Sequence, residues 1–234
     1  MHRAAFFPLA LSLFAPLLFA ADRSLSVGVP DHVTAAGIIH EMNLARQNPA
    51  LYATFVEEMR RNYSGGICLL PGNIRLRTRE GVHALDDAIH FLHRAKPQPP
   101  LALSPGLCLA AADHCREQAG GAMGHYSSNG SDPGNRISRY GVVNQGWAEN
   151  IAYGHHTVRE IVLALIVDDG VRNRGHRKNI FNSTYNVRGA AYDPHASFGS
   201  VCSIDFASGY AENRFVRARE ATHRIRFNYR SWCR

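Results

Sequence analysis

The chain has 234 residues, 45% of them hydrophobic, and a formal net charge of +7. That length supports one domain with a sizeable core and is short for two, and the composition excludes general disorder. The charge is uneven: residues 214–234 hold seven Arg and one Glu, so they supply +6 and all earlier residues about +1. A nearly neutral domain with a basic tail argues against nucleic acid as a partner, because a nucleic-acid face spreads its Lys and Arg over the fold itself.

Met1-His2-Arg3 is followed by an apolar run from Ala4 to Ala21, broken only by Pro8, Ser12 and Pro16. A basic start, an apolar stretch and small residues at Ala20-Ala21 predict a signal peptide over 1–21 and a secreted or periplasmic/extracellular location. The run also approaches the length of a membrane-spanning helix, which leaves a retained anchor as the competing expectation. Cys68, Cys108, Cys115, Cys202 and Cys233 make an odd number, so at least one thiol has no partner within the chain. Cys108 and Cys115 are seven residues apart on one predicted helix, roughly 10 Å at ~1.5 Å per residue, too far to bridge each other.

Thr34 opens a helical pattern over 35–61, with Pro49 as a break. Residues 63–73 carry the turn pairs Gly65-Gly66 and Pro71-Gly72 and read as a loop. A helix over 80–95 follows from the spacing of Val82, Leu85, Ile89 and Leu92. Pro97, Pro99 and Pro100 impose an extended connector. Ser104-Pro105 is a helix start, with Ser as cap and Pro at the first helical position, and Gly120-Gly121 is the stop. A small polar loop, 124–134, leads to a short helix over 135–140, and Trp147–Tyr153 reads as a strand. Thr157 and Glu160 have capping-box spacing ahead of a helix, 158–169, that is apolar nearly all round and therefore buried. Residues 174–181 read as a further turn or two of helix. Tyr185–Tyr192 and Ser200–Ala207 form a predicted antiparallel hairpin. Helices first and strands mostly last predict an α+β fold. In the tail, His223, Ile225, Phe227 and Tyr229 alternate with Arg224, Arg226 and Arg230, the period of a strand. A solvated edge and a contact with an anionic surface both fit that alternation. Asn62, Asn129 and Asn182 begin sequences of the glycosylation type.

Chemistry gathers at His125 in the polar loop, Glu149 in an apolar strand, and His176 at the start of the next segment. A carboxylate at Glu149 must face water or be paired. Asp168 and Asp169 end the most apolar helix, and periodicity alone leaves both open as a further acid. Ser127, Ser128 and the pair His114-Cys115 are poorly placed for a nucleophilic triad, and no GxSxG elbow is present. The spacings of 24 and 27 residues between His125, Glu149 and His176 form no local metal motif.

Gly124-His125, Ala148-Glu149-Asn150-Ile151, Gly175-His176-Arg177 with Asn179-Ile180-Phe181-Asn182, and the hairpin Val187–Ala191 with Val201–Ala207 together resemble the CAP superfamily of cysteine-rich secretory, antigen 5 and pathogenesis-related proteins. Glu41–Arg46 is similar to that family's first helix. The resemblance spans roughly 33–210, within a domain set at 33–213. Ala148 stands where the family usually has Gly, and the stretch from the second acid to His176 is short. The resemblance implies a three-layer α-β-α sandwich with a central antiparallel sheet and a cleft of two His and two acids, here His125, Glu149, His176 and, from its distance after Glu149, Asp168. It implies a divalent metal such as zinc in some members. It implies extracellular binding of a lipid, sterol, glycan or protein rather than turnover, with metal-assisted hydrolysis through the same cleft as the alternative.

Overall fold

The computed structural model describes residues 33–70 and 74–218. The leader expected over 1–21 and the alternating segment from His223 lie outside these residues. Helices α1 (Ala35–Gln47) and α2 (Pro49–Met59) meet at the break set by Pro49, and the Thr34 side chain accepts from Gly37 N at 3.0 Å, as its capping role requires.

The expected loop after α2 is instead a small antiparallel sheet: β1 (Tyr63–Ser64), β2 (Ile67–Leu70) and β3 (Ile74–Arg77), in that order. Gly65, at φ +58, is part of the turn joining β1 and β2. The strands are only two to four residues long, so their period is too short to stand out from the turn residues around them.

Helix α3 (Val82–Arg94) leads to β4 (Ala102–Leu103) and α4 (Pro105–Gln118), whose cap Ser104 accepts from Leu107 N. Helix α5 (Pro133–Ser138) starts two residues before the expected position because Asp132 and Asn135 form a capping box with Pro133 at its first position. Then come β5 (Gly141–Val143), β6 (Trp147–Tyr153), α6 (Val158–Val167), α7 (Gly175–Phe181), β7 (Val187–His195), β8 (Gly199–Ala207) and β9 (Tyr210–Glu212). Both halves of the Thr157–Glu160 capping box are formed. Asp168, in the left-handed conformation at φ 58, terminates α6 ahead of Gly170. The β7–β8 turn is tighter than expected, with Pro194 and Gly199 inside the strands. Pro194 is tolerated because β4 pairs only with Val187 and Arg188, so no ladder bond is asked of its nitrogen from that side. Residues 214–218 are helical.

The central sheet runs β4-β7-β8-β6, antiparallel across β7, β8 and β6, with β4 parallel to β7. On one face Ala190, Cys202, Ile204 and Phe206 join Ile38, Met42, Leu85, Leu92 and Ile161 from α1, α3 and α6. On the other, Ala207 meets Leu107 and Ala110 of α4, and Val201 and Ile151 meet Cys115. The result is an α-β-α sandwich. Seven of the ten α6 residues are buried, as its all-round apolar character predicts, at about 1.5–3 kcal/mol of hydrophobic stabilisation for each large side chain. Gly189 sets the approach of α4: a Cβ there would lie 2.1 Å from Cys108 N and 2.2 Å from Leu107 C, so only glycine lets the helix backbone rest on β7. The four described cysteines are free thiols.

Candidate functional site

Strand β6 lies at the edge of the central sheet and presents neighbouring residues to opposite faces. Glu149 points toward the α4 face and is buried. His125 Nδ1 donates to its Oε1 at 2.8 Å, while Arg136 Nη2 and Ser203 Oγ donate to its Oε2 at 2.6 and 3.1 Å. Asn150, one residue on, donates to the His176 carbonyl at 3.0 Å and accepts from Asn179 Nδ2 at 2.8 Å.

His176 belongs to the second pair. Its Nδ1 donates to Asp168 Oδ1 at 2.7 Å, and the backbone N–H groups of His176 and Arg177 donate to Asp168 Oδ2 at 3.0 and 3.3 Å. The left-handed backbone of Asp168 turns the chain so that its carboxylate caps the start of α7. Asp169 serves elsewhere: it accepts from Arg79 N and Glu80 N at 2.6 and 2.8 Å. Of the two acids left open by periodicity, Asp168 is the one bonded to His176.

The four residues form two His–carboxylate pairs joined through Asn150. In each the carboxylate is sealed in and the ring is reachable. The Glu149 and Asp168 side chains are 1% and 0% exposed, those of His125 and His176 47% and 23%. With each Nδ1 engaged, each ring turns its Nε2 edge toward any ligand.

Several residues outside the expected cleft set build the site. Arg136, fully buried on α5, donates to Glu149, to the His125 carbonyl at 3.0 Å, to Ser127 Oγ at 3.2 Å and to the Ser131 carbonyl at 3.5 Å. It thus ties the polar loop to the carboxylate. No local pattern marks an Arg as buried. His114 Nε2, also buried, donates to the Gly124 carbonyl at 2.8 Å and so holds the residue before His125. Its neighbour Cys115 points to the carbonyls of Ala191 and Val201, so the two do not form a nucleophile–base pair. Alternation in β8 puts Ser203 and Asp205 on one face, and the pairing with β6 makes it Glu149's face.

Asp205 is directly opposite Glu149 in the ladder, completely buried, and neither of its oxygens has a hydrogen-bond partner among the described residues. Burial first, then the charge of Glu149, push its carboxyl well above the usual range, and Arg136 opposes only part of this. Asp205 is therefore held as the neutral acid, which relieves the repulsion between two facing carboxylates.

The Nδ1–carboxylate bonds are of the kind that orient metal-binding imidazoles. The remaining donors are too few, however. Both carboxylates are sealed from solvent and engaged by internal donors, which leaves two accessible Nε2 atoms, whereas zinc sites take three or four protein ligands. Among the described residues no group of three or more His, Cys, Asp or Glu is placed to hold a metal ion. The donor set does not fit a three-ligand metal centre. As it stands, the arrangement can accept or donate hydrogen bonds at two ring edges and brace the sheet edge against α5 and α7.

No match is found among curated proteins. Among solved structures, an outer surface protein from Borrelia burgdorferi is similar at 17% identity and a TM-score of 0.40, over 47% of this chain and 78% of that one. An extracellular protein containing an SCP domain from Bacillus anthracis is similar at 18% identity and a TM-score of 0.40, over 65% of this chain and 43% of that one. No helix among the described residues is long and apolar enough to cross a membrane. The profile of the cysteine-rich secretory protein family matches residues 41–206, more than half of the chain, and includes all four of these His and acidic residues. The chain belongs to the cysteine-rich secretory protein (CAP) family.

Proposed function

We propose that this protein is an exported, non-catalytic CAP binding module that uses the accessible edges of His125 and His176 to engage an extracellular lipid, sterol, glycan or protein. One observation carries the reading: the Glu149 and Asp168 carboxylates are bonded to internal donors and sealed from solvent, out of reach of a substrate. A general base needs a free lone pair within reach of a substrate proton, and these acids serve instead to orient the rings. Export rests on the leader at 1–21. The Arg-rich tail, 214–234, supplies a second contact, with an anionic surface.

The test compares the full chain with its His125→Ala/His176→Ala variant. Retention on immobilised glycans and on vesicles of defined lipid composition is expected to fall in the variant. Hydrolysis of casein, with or without added zinc, is expected to stay at background in both proteins. Zinc-dependent hydrolysis by the wild type that the variant loses replaces this reading with metal-assisted hydrolysis through the same residues. Removing 214–234 is expected to abolish salt-sensitive retention on anionic vesicles.

A further inference from the structure

A cavity of about 520 Å³ lies between the β1–β3 sheet and α6. Neither His125, Glu149, Asp168 nor His176 lines it. The wall is pinned: Asp169 accepts the backbone N–H groups of Arg79 and Glu80, and Gly170 N donates to Glu80 Oε1 at 2.8 Å, which fastens the end of β3 to the end of α6. Its floor is apolar, with Met59, Leu163 and Val167, and Tyr63 adds an aromatic wall.

Two polar atoms at this cavity are buried without a partner among the described residues, Thr78 Oγ1 and His155 Nδ1. Buried polar groups in folded proteins are paired with protein, water or ligand, so an orphan pair in one cavity points to an occupant. Burial lowers the pKa of His155, which keeps the ring neutral and leaves its Nδ1 free to accept or donate.

The arginines around the cavity differ in their pairing. Glu160 is engaged by the N–H groups of His156 and Thr157, Asp169 by those of Arg79 and Glu80, and Arg159 by Glu41 at 2.7 Å. Arg77 and Arg79 line the same cavity, are exposed, and have no carboxylate partner among the described residues. Two planar guanidiniums at the mouth of an apolar space suit a carboxylate, which they can meet in bidentate fashion, and they stack on flat rings. The Met59 thioether and the Tyr63 ring favour an aromatic body. The volume falls in the range of small-molecule sites, ~300–1,000 Å³.

We infer that this cavity is a binding site for a compact aromatic carboxylate, its ring over Met59, Leu163 and Val167 and its acid group on Arg77 and Arg79. The site is separate from the His–carboxylate pairs and stands or falls independently of them.

The test uses anilinonaphthalene sulfonate as a fluorescent probe on the full chain, with naphthoate as competitor. Saturable one-to-one probe binding, displaced by naphthoate, is expected. Arg77→Ala/Arg79→Ala removes only exposed side chains, and thermal melting checks that the fold is kept. This variant is expected to weaken naphthoate binding by about tenfold or more, the loss of charge-assisted hydrogen bonds. Binding of naphthalenemethanol, the neutral analogue, is expected to change by less than about twofold, since it makes no such bonds. Ala164→Phe, which fills the cavity from α6, is expected to abolish both, and His125→Ala/His176→Ala to leave both intact. The inference is overturned by any of four results: no saturable binding, no effect of the Arg77/Arg79 variant on naphthoate, displacement by inorganic phosphate as effective as by naphthoate, or tighter binding of octadecanoate than of naphthoate.

Discussion

Arg136→Met is the most informative single perturbation of the site. Methionine keeps most of the reach and volume of arginine and removes the charge and its donors. Arg136 is fully buried and meets the equally sealed Glu149 at 2.6 Å. Breaking a buried pair by removing one partner costs about 3–5 kcal/mol, because the remaining charge is left uncompensated. The bonds to the His125 and Ser131 carbonyls and to Ser127 add about 0.5–1.5 kcal/mol each at most, and they overlap with the first figure rather than add to it. A loss of about 3–5 kcal/mol is a large part of the ~5–15 kcal/mol typical of a domain. Urea denaturation followed by circular dichroism measures it. Arg136→Met/Glu149→Gln removes the stranded charge as well, so the double variant is expected to be more stable than Arg136→Met alone. Hydrogen exchange is expected to quicken over residues 124–131 in the single variant, because Arg136 anchors that loop. A cost below about 1 kcal/mol for Arg136→Met, or a double variant that simply sums the two single losses, refutes the assignment of Arg136 as the counter-ion.

Asp205 gives a pH test. Its folded pKa is raised, so below the unfolded value of about 3.9 both states hold the proton. As pH rises past that value the unfolded chain releases it first, and stability falls by up to ~1.4 kcal/mol per pH unit until the folded group titrates. Asp205→Asn removes this slope, so its stability advantage over wild type is expected to widen as pH rises above about 4; parallel profiles contradict the buried neutral acid. Gly189→Ala drives a methyl into the α4 backbone and is expected to cost at least the ~1–3 kcal/mol of core overpacking, read as a lower urea midpoint. Asp168→Ala and Asp168→Gly lose the same cap on α7, but only alanine is strained by the left-handed backbone. The alanine variant is expected to be less stable by about 1–2 kcal/mol, and equal midpoints contradict that geometry.

What depends on neighbours in the chain was legible without coordinates. The caps Thr34, Ser104 and Thr157 sit one residue before the helices they start, and strand β6 matches its expected span, because side chain and backbone there meet within a few residues. The buried character of α6 followed from its apolar circumference, and the family motifs located His125, Glu149 and His176. Local pattern gave no account of β1–β3, where the Gly65-Gly66 turn outweighed strands too short to show a period. Periodicity left Asp168 and Asp169 open and the distance after Glu149 favoured Asp168; its bond to His176 depends on the left-handed backbone at the helix end, which side-chain periodicity does not encode.

The partners were decided by tertiary structure alone. Arg46, Arg136 and Arg188 look like surface residues in sequence, yet all three are sealed inside the protein. Arg46 finds carbonyl acceptors at Pro99, Ile180 and Asn182, up to 136 residues away, and Arg188 finds one at Ile39. A charge is tolerated in a core only where distant segments bring acceptors to it, so its burial is a property of the assembled fold. Glu149 shows both sides of this division. Its apolar strand left it either facing water or paired, and only the packing of α5 against the edge of the sheet sealed it and supplied Arg136 as the counter-ion.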